Sequence, residues 1–463
     1  MLADHTTADE ADRQIIRTRT ASTLFVEAGA GSGKTHELVR RVVALVAGGA
    51  SLRAIAAITF TNAAAAELRD RVRLELGLAA RGAESYETLS PDERSHCADA
   101  LGEIDSAAIQ TLHSFAQRIL SLYPVEAGLP PEIAVREAVA ASIAFEERWQ
   151  PFLEDLLRDG GGNPEVATAL LRAFTLGLTE RHLRAIALSF HEDWDRVLPV
   201  TFEHAPMPPV DLGEIVSLLL EANEPGASIK PGRETDDAYI ALERLRPGFA
   251  SLIETHEALE TAHDTSDRLA AEEHALRLLM YGGKLNIPGN RGQKGNWEGT
   301  SLASLRSLTK HAEDHRDALL KTMRPAALGP LLSSIQGFVR DYRDERITAG
   351  VLEFHDLLVL TRDLLVRDAG VRRGLASRYT TLLIDEFQDT DPIQVEIATL
   401  IAASLAADAH RPWHALAKAQ KQQQNISSKF NLQMTAVAKT LEGAIMAQKH
   451  EQKIGGSIRA VVE

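Results

Sequence analysis

The sequence predicts an α/β fold: a parallel sheet split by a large helical insertion and followed by a helical C-terminal tail. Three observations predict it. Up to about Pro130, short apolar runs alternate with stretches of helical periodicity, the pattern of parallel strands joined by helical crossovers. From Pro131 to Thr348 the composition turns to Leu, Ala, Glu and Arg with few β-branched runs, as in a helical domain. At Tyr379–Asp391, "YTTLLIDEFQDTD", a β-rich run returns, so the helical block reads as inserted into one α/β domain. The expected organisation is residues 1–130 and 349–405 for that domain, 131–348 for the insertion and 406–463 for the tail.

The elements follow in order. "TLFVEA" (Thr23–Ala28) is an apolar run ending in a Gly-rich turn and predicts a strand. "THELVRRVVALVAGG" repeats apolar residues at helical spacing and stops at Gly48 and Gly49. "IAAITF" predicts a buried strand and "NAAAAELRDRVRLELG" a helix. "SAAIQTLHSFAQRILSLYP" reads as a short strand entering a helix that stops near Pro124. Within the insertion, Gly282–Gly299 forms a polar, basic loop. Its Lys284, Arg291, Lys294 and Trp297 suit either a nucleic-acid contact or a solvated loop with a tucked-in Trp. In the tail, Ile426, Phe430, Met434, Val437, Leu441 and Ile445 recur three or four apart, predicting one amphipathic helix over about Gln424–His450.

Composition narrows the classes. No apolar run approaches the ~20 residues of a membrane helix. The N-terminus, "MLADHTTADEADRQ", has no apolar core of the kind a secretory signal needs. The single cysteine, Cys97, leaves no internal disulfide to form, and a cytoplasmic location is expected. A net charge of −15 argues against indiscriminate nucleic-acid binding but is compatible with a local basic groove.

The chemistry concentrates in two places. In "AGAGSGKT" (Ala28, Gly29, Ala30, Gly31, Ser32, Gly33, Lys34, Thr35) the glycines let the backbone turn its N–H groups toward a polyphosphate. Lys34 adds a mobile positive charge, Thr35 a hydroxyl for Mg²⁺, and the following helix its positive end. Ala28 stands where this motif usually has its first glycine. The bland alternative is a Gly-rich turn before a helix. Such a loop needs an acidic partner at a neighbouring strand end, and "LLIDEFQD" offers Asp385 for Mg²⁺ and Glu386 as base for an attacking water. Here the bland alternative is an acidic strand end that caps the next helix.

Four stretches, "AGAGSGKT", "ITFTNAAAAELRDRV", "IQTLHSFAQRIL" and "LLIDEFQDTDPIQ", resemble in this order motifs I, Ia, Ib and II of UvrD/RecB-like superfamily 1 DNA helicases. "LEFHDLL" resembles the segment preceding motif II, with His355 where Asp is common. The resemblance covers about residues 8–405. It implies a RecA-like P-loop NTPase that uses ATP and Mg²⁺, moves along single-stranded DNA, usually 3′ to 5′, and unwinds duplex in DNA repair or recombination. It places Lys34, Asp385, Glu386 and Gln388 in the catalytic set. Phe60, Thr61, Asn62 and His113 fall on the DNA path, where hydroxyl, amide and aromatic groups suit backbone contacts and base stacking. Taken alone, each of these is more often a helix cap or core filler. Ala63 replaces a lysine common after the Asn of motif Ia. For the adenine, Gln14 has nearly the spacing of a family Gln, whereas another alignment places Glu10 or Ala11 there with Arg13 as the family arginine.

After Asp391 no G-D-x-x-Q stretch, arginine motif or second sheet pattern follows. The chain is therefore expected to be the front half of a motor, whether a truncated gene product, one part of a split enzyme or a motor half joined to an unrelated tail. Its expected partner is a second motor half or a nuclease/helicase subunit; no membrane is expected. A nucleotide-binding regulatory or assembly module that never unwinds DNA is the alternative. A small-molecule kinase is disfavoured by "TFTN" and "DEFQDTD".

Overall fold

The computed structural model describes residues 10–22, 24, 26–29, 31–202, 208–230, 233–385 and 392–405. The tail expected as an amphipathic helix, with Glu386 and Gln388, lies outside the described residues.

In chain order the first elements are α1 (Glu10–Thr18), α2 (Lys34–Ala47), β1 (Ile55–Thr59), α3 (Asn62–Ala80), α4 (Pro91–Leu101), β2 (Ala108–Thr111), α5 (Leu112–Leu122), α6 (Pro124–Ala127) and β3 (Ala134–Val135). Helices follow: α7 (Ala138–Asp159), α8 (Pro164–Thr175), α9 (Glu180–Glu192), α10 (Trp194–Val197), α11 (Gly213–Ala227), α12 (Asp237–Thr261), α13 (Thr265–Tyr281) and α14 (Ser301–Ala349). The chain returns through β4 (Val351–Leu352), α15 (Phe354–Arg367), α16 (Ala369–Arg378), β5 (Thr381–Ile384) and α17 (Pro392–Leu405). These elements divide into two compact units, the first with described residues up to Ser142 and from Asp344 onward, the second running from Ile143 to Arg343.

In the first unit, β1 lies between β2 and β5, parallel to both, with Ala57 opposite Ile109 on one side and Leu383 on the other. All five residues of β1 are buried, which explains why it reads as a continuous apolar run without alternation. The core joins Val39, Val42, Val43 and Val46 of α2 to Leu68, Val72 and Leu76 of α3 and to Ile55 and Ile109 of the sheet. Phe115 of α5 packs edge-on against Tyr379, with ring centroids 5.2 Å apart.

One expected strand differs. The described residues of "TLFVEA", Leu24 and Val26–Ala28, carry no strand assignment, and Val26 is 45% exposed. Among the described residues the sheet has three strands. An apolar run becomes a strand only where a neighbour meets its backbone groups, and periodicity does not report that.

The second unit is helical. Phe145, Trp149, Phe338 and Tyr342 form an aromatic cluster, with Trp149 and Phe338 centroids 5.3 Å apart. The Gly282–Gly299 loop is organised by buried Asp236, which accepts from the backbone N–H of Gln293, Asn296 Nδ2 and Trp297 Nε1 at 2.9, 2.9 and 3.2 Å. Trp297 is buried while Lys284, Arg291 and Lys294 are exposed. No helix among the described residues is long and apolar enough to cross a membrane.

Candidate active site

The site is assembled at the carboxyl ends of the parallel strands, where loops of such sheets gather ligand-binding groups. Lys34 opens α2 directly after Gly33, whose φ of 89° lies in the left-handed region that glycine tolerates. Gly31, at φ 78°, has the same freedom. Ser32 closes the loop on itself: its Oγ donates to the Gly29 carbonyl at 2.8 Å and its N–H to the same oxygen at 3.3 Å. Gly29 and Gly31 are exposed, and Ala28, Ser32, Lys34 and Thr35 are half-buried. Ala30 is outside the described residues.

Asp385 stands just past β5, and its N–H donates to the Ile58 carbonyl at 2.9 Å, extending the ladder with β1 by one residue. This sets its carboxylate beside the first turn of α2. Thr35 Oγ1 donates to Asp385 Oδ2 at 3.1 Å, across 350 residues of sequence. A hydroxyl and a carboxylate side by side are hard oxygen donors, the set that suits Mg²⁺, which takes one or two protein oxygens and completes its shell with water and phosphate.

Beneath the loop, Glu37 of α2 is buried and accepts from Arg17 Nε and Nη2 at 2.7 and 2.6 Å and from Arg13 Nη1 at 3.1 Å. Burial pushes the Glu37 carboxyl up, but the Arg17 hydrogen bond and charge, joined by Arg13, outweigh it and hold the group below its ordinary value. Nothing in the sequence marks Glu37 out; it reads there as one more charge on a helix. Gln14, on α1, is exposed, and its carbonyl accepts from Thr18 Oγ1.

The residues expected on the nucleic-acid path follow the neighbouring strand ends. Thr61 caps α3 by accepting from the Ala64 N–H at 3.1 Å; it is exposed, as is Asn62, and Phe60 is half-buried. His113, in the first turn of α5, meets the Phe354 ring edge-on at 5.6 Å. Phe354 is 48% exposed. Its only sequence signal is a place in "LEFHDLL".

Burial, and then the charge of His355, hold the His113 imidazole below the ordinary histidine value. Its neutral form is favoured by folding, so its contribution to stability is complete above the ordinary value and lost as pH falls through it toward the depressed one. Thermal melts should therefore drop from pH 7.5 toward pH 5 more steeply for the parent chain than for His113→Gln; equal slopes would contradict this.

Residues 8–407 match the family described as UvrD/REP helicase N-terminal domain. Among similar curated proteins, an ATP-dependent helicase/nuclease subunit from Pediococcus pentosaceus is 23% identical over 408 residues, 82% of this chain and 32% of that protein. The protein of the same description from Streptococcus sanguinis is 24% identical, covering 82% of this chain and 32% of its own length. That from Desulforudis audaxviator is 26% identical, with 83% and 33% covered. The chain thus spans about a third of the length of these relatives.

Proposed function

The chain belongs to the UvrD/REP helicase N-terminal domain family, and from that premise we propose that it is the ATP-binding motor half of a UvrD/RecB-like DNA helicase. The apposition of Thr35 and Asp385 at the mouth of the phosphate loop carries this reading. Backbone N–H groups from Gly29 to Lys34 bind the polyphosphate, and Lys34 takes its outer charge. Thr35 and Asp385 hold Mg²⁺, which when bound neutralises phosphate charge. Glu386 takes the proton of the attacking water, with Gln388 beside it in the motif, and Gln14 is the candidate neighbour of the adenine. Phe60, Thr61, Asn62 and His113 bind single-stranded DNA, and the exposed Phe354 ring against His113 supports adding it to that set. The proposed organisation is a motor domain from residues 1–130 and 349–405, divided by a helical domain at 131–348, with a tail at 406–463.

In the complete enzyme this half would serve 3′ to 5′ translocation and unwinding in DNA repair, alongside a second motor half or a nuclease/helicase subunit. The description of the relatives as subunits supports the partner. The test is ATP hydrolysis by the purified chain with and without single-stranded DNA, repeated with a supplied second motor half. DNA-stimulated hydrolysis that needs the second half is the expected result. Nucleotide binding with no response to DNA in either condition would favour a regulatory or assembly module.

A further inference from the structure

Helix α1 is fastened to the phosphate-loop helix α2 by charged residues one turn apart on each. Arg13 and Arg17 of α1 share Glu37 of α2. One turn on, buried Arg41 donates to the carbonyls of Ile16, Arg19, Thr20 and Ser22, at and beyond the end of α1, where helix carbonyls lack intrahelical partners. Of these three arginines, Arg13 is the one seen to reach the loop itself. Its Nη2 donates to the Ser32 carbonyl at 2.7 Å, and a Cβ built on Gly33 would lie 3.4 Å from its Nη1.

The Ser32 carbonyl and the Gly33 N–H belong to one peptide unit, and the described chain has no cis peptide bonds. In a trans peptide those two groups point in opposite directions. Fixing the carbonyl on Arg13 therefore turns the Gly33 N–H away from Arg13. We propose that Arg13 is a positioning residue that holds the Ser32–Gly33 peptide with its N–H toward the bound phosphate, while Glu37 holds Arg13 in place. The inference rests on the reading of this loop as a phosphate cradle. Arg17 shares Glu37 and bonds to Glu10 rather than to the described loop residues, so it supplies the control for a purely structural staple.

The experiment measures binding of a Mg²⁺-bound non-hydrolysable ATP analogue and of Mg²⁺-tripolyphosphate by calorimetry, with a thermal melt of each variant. Arg13→Ala is expected to weaken both probes alike by about tenfold, the scale of one charge-assisted hydrogen bond. Arg13→Lys keeps the charge opposite Glu37 but not the fork that reaches two partners at once, so it should melt near the parent and still lose several-fold affinity. Arg17→Ala should lower the melt and leave affinity within about twofold. Parental affinity in Arg13→Lys, or equal losses in Arg13→Ala and Arg17→Ala, would overturn the proposal. A Lys34→Ala variant marks the difference from the underlying reading: if it loses binding while Arg13→Lys does not, only the inference fails; if it too binds normally, both fail.

Discussion

Lys34→Ala is expected to remove Mg²⁺-dependent nucleotide binding, a loss of about a hundredfold or more, without shifting the thermal melt appreciably. Lys34 is the single charged side chain in "AGAGSGKT", and in the proposed site the other groups that meet phosphate are backbone N–H groups, with the Thr35 hydroxyl given to Mg²⁺. It begins α2 directly behind a left-handed glycine, so the positive end of the helix lies at the same loop. Two charge-assisted hydrogen bonds of about 1.5 kcal/mol each account for the factor. Lys34 is absent from the buried core, so little folding energy is at stake. Calorimetry with a non-hydrolysable ATP analogue decides the matter, and unchanged affinity would sink the phosphate-loop reading.

The second large effect concerns stability. Arg346 and Asp356 form a bidentate pair in the first unit, Nε to Oδ2 at 3.0 Å and Nη2 to Oδ1 at 2.8 Å. Asp356 is 0% exposed and Arg346 3%. The same Oδ2 accepts from the Glu353 N–H at 2.9 Å, so the aspartate also caps the start of α15. Arg346→Ala leaves a buried carboxylate without this counter-charge and should cost about 3–5 kcal/mol. Replacing both by apolar residues of similar volume should recover only part of that: Asp356 is then no longer a buried charge, but Glu353, 3.6 Å from Arg346, loses its counter-charge and its N–H loses the cap. Urea denaturation of the single and double variants measures it. A loss below about 1 kcal/mol for Arg346→Ala would show that solvent or another group compensates.

Much of the α/β framework is legible in the sequence because its signals are local. The apolar run Ile55–Thr59 is buried on both faces as the central strand, and the periodicities after it become α3 and α5. Capping chemistry is equally readable at Thr61 and Thr111, where a short hydroxyl side chain precedes a helix and accepts from a backbone N–H. The described residues of "TLFVEA" carry no strand assignment, which apolarity alone does not decide, because a strand also needs a neighbour to pair with.

By itself the sequence determined the kinds of chemistry present: a glycine-permitted loop ending in Lys34 and Thr35, an acidic strand end at Asp385, and hydroxyl and aromatic groups after two other strands. Only the tertiary structure decided which of them meet. The order β2–β1–β5 brings Asp385 to Thr35 from 350 residues away. Docking of α1 on α2 turns Glu37 and Arg41, which read as ordinary helix charges, into buried partners of Arg13, Arg17 and four carbonyls. In the second unit, Asp236 gathers Trp297 from 61 residues downstream. The physical reason is the same in each case. Periodicity and turn chemistry act over a few residues, whereas the partner of a buried charge is chosen by how whole elements pack, since a charge leaves water only where another group is already placed to meet it.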